Sequence, residues 1–301
     1  AAPVASGTRI GRASPAAADE LGLPHGVEWV AGGHDQGCCS LGAGGVAEGI
    51  AVDGTGTFEC ISIPVGDAVL TPAALGCNFP TELHTVAPLK LTLSYIAGGV
   101  ALRWFRDVAS RHILELATLR GVDPYDLILA DLPEGPTDVL MFPHFIWTGT
   151  PWLDARARGA VVGLDAGTTY EELAKAAIEG ITLEMGWNLD LQASAGIEIG
   201  RIHAVGGGSR SDRWLQMKAD IFDREVTVIP GEASCAGAAM CAGVGIGVFT
   251  TPAEAAAVFV REGRTFTPRP RQVAAYREKA AHYREVAGRL YGFVAPRQDD
   301  R

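Results

Sequence analysis

Positive charge is in short supply in this sequence: 25 lysines and arginines stand against 35 aspartates and glutamates, a formal net charge of -10. Such a chain lacks the basic surface that phosphate backbones and anionic lipids require, which argues against nucleic acid and against a membrane as partners. A single nucleotide is not excluded, because backbone N–H groups and a metal ion can hold its phosphates locally. Cys38, Cys39, Cys60, Cys77, Cys235 and Cys241 include no Cys-x-x-Cys pair and no Cys/His group at zinc spacing. Buried, reduced, metal-free thiols in a cytoplasmic setting are therefore expected. Long apolar runs are missing too. The longest uncharged stretch, residues 233–253, is mostly alanine and glycine, contains Pro252 and lies between Glu232 and Glu254. It reads as a buried helix followed by a turn rather than a membrane span. The first residues carry neither a charged nor an apolar signal region, so no signal peptide is read. Short-period repeats and low-complexity segments are not seen either.

What is present is enough for one large domain or two ordinary ones: 301 residues, 48% hydrophobic and 20% charged. The predicted elements alternate between strands and helices. Residues 4–8 read as a strand and turn. Ser14, Pro15 and Gly22 bracket a short helix with a cap, a first-turn proline and a terminal glycine. Residues 28–31 read as a strand, 38–44 as a helix of small residues, and 47–53 with 58–63 as a hairpin around Gly54-Thr55-Gly56. A strand at 89–96 leads into Gly98-Gly99 and a helix over 100–120, with Leu102, Phe105 and Val108/Ala109 on one face and Arg103, Arg106 and Asp107 on the other. Residues 124–136 read as a loop, 139–142 as a strand and 144–159 as a loop. Next comes a long helix over 170–192, capped by Thr168 or Thr169, with Leu173, Ala177, Ile181, Met185 and Leu189 as its core stripe. A strand at 202–205, the turn Gly206-Gly207-Gly208-Ser209 and a helix over 210–222 follow. A strand at 225–229 and helices over 234–247, 252–259 and 272–290 complete the chain.

Three stretches could carry chemistry. In Gly32-Gly33-His34-Asp35-Gln36, a carboxylate follows a strand and two glycines, where it could serve as a general base close to a substrate. Gly54-Thr55-Gly56-Thr57-Phe58 offers backbone N–H groups and a hydroxyl that suit a terminal phosphate, although a plain hairpin turn has the same letters. The glycine turn at 206–208 lets a nucleotide lie on bare backbone; its spacing does not fit Gly-x-Gly-x-x-Gly.

Taken in order, residues 31–36, 53–58, 95–107 and 204–221 resemble the C-terminal half of the FGGY carbohydrate kinases, and residues 150–159 and 237–240 add to the match. The resemblance implies an α/β, actin-like ATPase (ribonuclease H-like) fold with a mixed sheet flanked by helices. It implies phosphoryl transfer from ATP, with Mg²⁺, to a hydroxyl of a sugar or polyol, a ketopentose such as xylulose being the first choice. By position, Asp35 matches the family's catalytic base. Gln36, His34 and Phe58 fall on the substrate side. Gly54, Thr55 and Gly56 match the loop that meets the phosphates. Gly99, Arg103, Gly207, Gly208 and Ser211 match the nucleotide contacts, Arg103 standing where glycerol kinases carry glutamine. Members of the family begin with a sugar-binding domain holding an Asp-x-Gly-Thr loop, and none precedes Asp35 here. Residues 165–168 have similar letters but read as a helix cap. Residues 1–45 are therefore expected to be the final strand–helix–strand of a first domain, with residues 46–301 the nucleotide-binding domain. Either an oligomer or a partner carrying the missing half is expected, since Val27, Trp29 and Val30 would leave apolar strand edge uncovered. A non-catalytic nucleotide-binding half-kinase, or a truncated product, stays open as the alternative.

Overall fold

The computed structural model describes residues 2–292; residues 293–301, at the end of the expected second domain, lie outside it. Strand β1 (Arg9–Arg12) pairs antiparallel with β2 (Glu28–Val30), with helix α1 (Pro15–Leu21) between them. Ser14 caps α1 by accepting from Ala17 N–H, Pro15 opens it, and Gly22 closes it in the left-handed region. The first strand begins at Arg9, just after its expected span of residues 4–8. It is fully exposed, Ile10 included, with Arg9 and Arg12 both engaging Glu28, so no hydrophobic alternation marks it. Trp29 is exposed, while Val27 and Val30 are half-buried.

Helix α2 (Asp35–Gly42) follows, then the hairpin of β3 (Gly49–Thr55) and β4 (Glu59–Val65). The remaining elements are α3 (Pro72–Gly76), β5 (Thr81–Leu83), β6 (Lys90–Ile96), α4 (Gly98–Trp104), α5 (Arg111–Arg120), α6 (Pro124–Ile128), β7 (Leu140–Phe142), β8 (Ala160–Val162), α7 (Tyr170–Ser194), β9 (Ile199–Gly206), α8 (Asp212–Phe222), β10 (Val226–Val228), α9 (Ala233–Gly245), α10 (Pro252–Phe259), β11 (Thr265–Phe266) and α11 (Pro270–Tyr291). Seven strands form one mixed sheet in the order β11-β10-β9-β3-β4-β6-β5. The β3/β9 and β9/β10 pairs are parallel, as crossover helices require, and the outer pairs are antiparallel.

Alternation along the hairpin decides what each face meets. Ala51, Ile61 and Ile63 join the main core with α7 and α8, whereas Val52 packs with Ala43 and Ala233 on the opposite face. Each fully buried isoleucine contributes on the order of 2–3 kcal/mol of hydrophobic stabilisation. On that second face α2 crosses α9 at near contact. A Cβ on Gly42 would lie 1.8 Å from Ala233 O, and one on Gly237 would lie 1.9 Å from Cys38 O. Only glycine permits this approach.

Three expectations about helices are corrected. The helix expected over 100–120 is broken: after α4, residues 105–109 form a π-helical turn, and Ser110 Oγ donates to Phe105 O. The wider turn shifts the apolar phase, so Phe105 is buried and Val108 is exposed. Residues 124–128, expected in a loop, form α6, capped by Asp123, whose side chain accepts from Tyr125 N–H. Helix α7 is buried on nearly every side, not along one stripe. Its polar groups are paired instead: Glu179 with Lys279, Tyr276 and Thr137, and Glu184 with Tyr283 and Trp152. Its N-terminus resolves to Thr169, which forms a capping box with Glu172. Asp165 braces the preceding turn by accepting from Gly167 N–H and Thr168 Oγ1. All six cysteines are unbridged; four are buried, Cys39 is half-buried, and Cys235, expected inside, is exposed. Among the described residues no helix is long and apolar enough to cross a membrane.

Candidate nucleotide and phosphoryl-transfer site

Strand ends and helix starts meet at one edge of the sheet. The β3–β4 turn, the β6–α4 turn and the β9–α8 turn converge there, bringing together segments that are far apart in sequence. They enclose a cleft of about 480 Å³ lined by Thr55, Gly56, Gly99, Arg103, Gly207, Gly208 and Ser211. Seven of the expected site residues thus share one cavity. Gly54 lies further back, paired with Cys60 and Val205 within the sheet. Phe58 is exposed on the hairpin turn, its ring 6.0 Å from that of Trp147.

The glycines differ in what they do. A Cβ on Gly99 would lie 2.0 Å from Gly56 O, and one on Gly208 would lie 2.5 Å from Thr55 Cγ2, so both let neighbouring turns brace the phosphate-side hairpin. Gly207 has only Thr55 O nearby, at 3.9 Å, and its backbone faces open space. Ser211 caps α8, its Oγ accepting from Trp214 N–H at 3.3 Å.

Sequence reasoning missed a second set of lining residues: Leu102, Arg106, Asp123, Tyr125, Leu129 and Trp214. Arg106 was expected on a solvent face and residues 123–129 in a loop. The π-helical turn brings Arg106 over the Tyr125 ring, with its guanidinium 5.3 Å from the centroid. Its Nε donates to Asp107, which holds the guanidinium even more basic than usual. Apolar side chains, arginines and bare backbone in one cleft suit a ligand with a flat ring and an anionic tail.

Beneath the cleft floor lies an ionic cluster that was also missed. Lys218 Nζ donates to Asp53 Oδ2 at 2.5 Å, to Thr55 Oγ1 at 2.7 Å and to Glu59 Oε1 at 3.0 Å, using all three of its N–H donors. Asp53, Glu59 and Lys218 are all essentially inaccessible to solvent. Burial works against the Lys218 ammonium, but the charges and hydrogen bonds of Asp53 and Glu59 outweigh it and raise its pKa. For Glu59, burial and the Asp53 charge push the carboxyl up despite the pull of Lys218, and its Oε2 has no hydrogen-bond partner. The signal was available in sequence: Lys218 interrupts the apolar face Trp214, Leu215, Ala219, Phe222 of α8.

His34, Asp35 and Gln36 do not line the cleft. They sit at the N-terminus of α2, and the Asp35 side chain is 74% exposed. Asp35 Oδ1 accepts from Gln36 N–H at 2.8 Å and lies 3.0 Å from His34 Nε2. Cys60 lies on the face of β4 opposite Glu59, and burial, followed by the nearby Asp53 carboxylate, pushes its thiol up to about 12.

Comparison with known proteins bears on the family and the fold. Residues 84–246, more than half of the chain, match the C-terminal domain of the FGGY family of carbohydrate kinases. The chain is 29% identical over 283 residues to the xylulose kinase of Bacillus subtilis strain 168, an alignment spanning 92% of this chain and 54% of that protein. It is 30% identical over 271 residues to the glycerol kinase of Bordetella parapertussis, spanning 87% of this chain and 50% of that protein. The crystal structure of xylulose kinase from Rhodospirillum rubrum superposes with a TM-score of 0.80 at 24% identity, covering 96% of this chain and 57% of that one. The fold is therefore the actin-like ATPase fold that these kinases share, and the chain spans about half the length of the relatives it matches. This chain belongs to the FGGY family of carbohydrate kinases.

Proposed function

We propose that this chain is the ATP-holding part of a kinase that transfers the γ-phosphoryl group of ATP to a hydroxyl of a sugar or polyol, a ketopentose such as xylulose in the first instance. The observation that carries the reading is the single cleft joining the three turns. It matches a nucleotide in size and chemistry, and relatives named xylulose kinase and glycerol kinase support the choice of acceptor. In this reading the adenosine lies over Gly207 and Gly208 against Trp214 and Tyr125. Arg103 and Arg106 face its anionic side, and the Thr55–Gly56 turn receives the phosphates.

Asp35 is assigned as the base. Its polar contacts go to Oδ1, so Oδ2 is the oxygen left to take the proton of the attacking hydroxyl. That hydroxyl forms the new O–P bond as the bond to the ADP oxygen breaks. His34, Gln36 and Phe58 are assigned to the acceptor side. Mg²⁺, when bound, would neutralise phosphate charge. Among the described residues no three His, Cys, Asp or Glu side chains group as a metal site. Residues 1–45 are read as the end of a first, sugar-binding domain and residues 46–301 as the nucleotide domain, with a first domain or a second copy as partner. A cytoplasmic setting belongs to the same reading.

Calorimetric titration of the chain with ATP and Mg²⁺ tests this. Saturable binding that Gly207→Val weakens at least tenfold is expected. Absence of ATP binding by the folded chain would overturn the nucleotide assignment.

A further inference from the structure

The residue before the assigned base has two carboxylate neighbours. His34 Nδ1 lies 3.0 Å from Glu82 Oε1, and His34 Nε2 lies 3.0 Å from Asp35 Oδ1. Ionised carboxylates only accept hydrogen bonds, and a neutral imidazole has a single N–H. Only the Nδ1 contact has hydrogen-bond geometry; the Nε2 contact is a charge contact, and a carboxylate 3.0 Å from each ring nitrogen favours the imidazolium. A cation at the start of α2 is opposed by the helix dipole, whereas Asp35 in the first turn is favoured by it. Glu82 offsets that opposition from a different element, β5. The two elements are held in register: Thr85, two residues beyond β5, donates from Oγ1 to Gly37 O at 3.0 Å. A Cβ on Gly33 would lie 2.4 Å from Thr85 Cγ2, so this approach needs glycine.

We propose that Glu82 holds His34 as an imidazolium beside Asp35, making His34 a positioning residue that orients the base. The proposal rests on the assignment of Asp35 as base. Among the described residues the charged groups facing His34 are Glu82 from β5 and Asp35 from α2, and both favour its charged form. The hydrogen bond that His34 donates to Glu82 is the largest influence raising its pKa from the ordinary 6.5.

Two measurements test it. In the ¹⁵N-histidine-labelled chain, imidazole NMR follows each ring through pH, with the His34 signal assigned by its loss in His34→Gln. A His34 midpoint above 6.5 that falls in Glu82→Gln supports the imidazolium. A midpoint at or below 6.5, or one indifferent to Glu82→Gln, overturns it. In a kinase carrying both domains, Glu82→Gln should lower kcat about tenfold or more while leaving KM for ATP unchanged. An unchanged kcat overturns the positioning role. Full activity in Asp35→Asn would instead remove Asp35 as base, while the NMR titration judges the imidazolium separately.

Discussion

The ammonium of Lys218 in α8 lies 2.5 Å from the carboxylate of Asp53 in β3, although 165 residues separate them in the chain. The contact ties the helix bearing Ser211 and Trp214 to the strand ending at Thr55, so both sides of the cleft share one buried pin. Two carboxylates against one ammonium leave the cluster short of one positive charge.

Removing the pin should therefore be costly. Lys218→Met leaves Asp53 and Glu59 buried without a cation, and a loss of roughly 3–5 kcal/mol is expected. Urea unfolding measures it. Neutralising the carboxylates as well, in Lys218→Met with Asp53→Asn and Glu59→Gln, should recover much of that loss. A single substitution costing under about 1 kcal/mol would show that the pin carries little.

The charge imbalance predicts a pH dependence. Burial raises the Glu59 carboxyl to about 7, against 4.5 when exposed. The folded state then binds a proton that the unfolded state has released, so this group favours folding at the acid end and loses that contribution as pH rises from 4.5 through 7. Thermal melts from pH 5 to 8 should show the wild type falling by a few degrees relative to Glu59→Gln, which mimics the protonated form. Parallel profiles for the two proteins would count against this assignment.

The cleft glycines should separate by role. Gly99→Ala puts a methyl group into Gly56 O and should destabilise the chain by about 2 kcal/mol or more. Gly207→Val has room, and should keep the melting temperature while raising KM for ATP and leaving sugar affinity largely unchanged. A normal ATP KM in Gly207→Val would remove the assignment of Gly207 to the nucleotide.

Asp35 is exposed and outside every core cluster, so Asp35→Asn should leave the fold unchanged. In a two-domain kinase it should lower kcat by about 10²- to 10⁴-fold. The comparison is made at matched melting temperature, and a wild-type kcat would remove the assignment.

Much of this was legible along the chain. Ser14, Pro15 and Gly22 bracketed α1, because caps are set by neighbours within a few residues; the hairpin was also legible, but its turn falls at residues 56–58, Gly54 and Thr55 being paired within β3. The four ordered segments identified the family because backbone turns around a ligand demand particular residues at particular spacings. Tertiary structure alone decided the rest. Whether α7 would bury one face or nearly all depended on α8 and α11 closing over it. A side-chain bond from Ser110 to Phe105 O accompanies the π-helical turn that carries Arg106 over Tyr125. Lys218 finds Asp53, and His34 finds Glu82, across 165 and 48 residues, and local pattern is silent about pairings at that range. The chain's own letters determined which backbone turns form and which chemistry they resemble; packing determined which charges meet, because only the folded sheet edge brings them within hydrogen-bond distance.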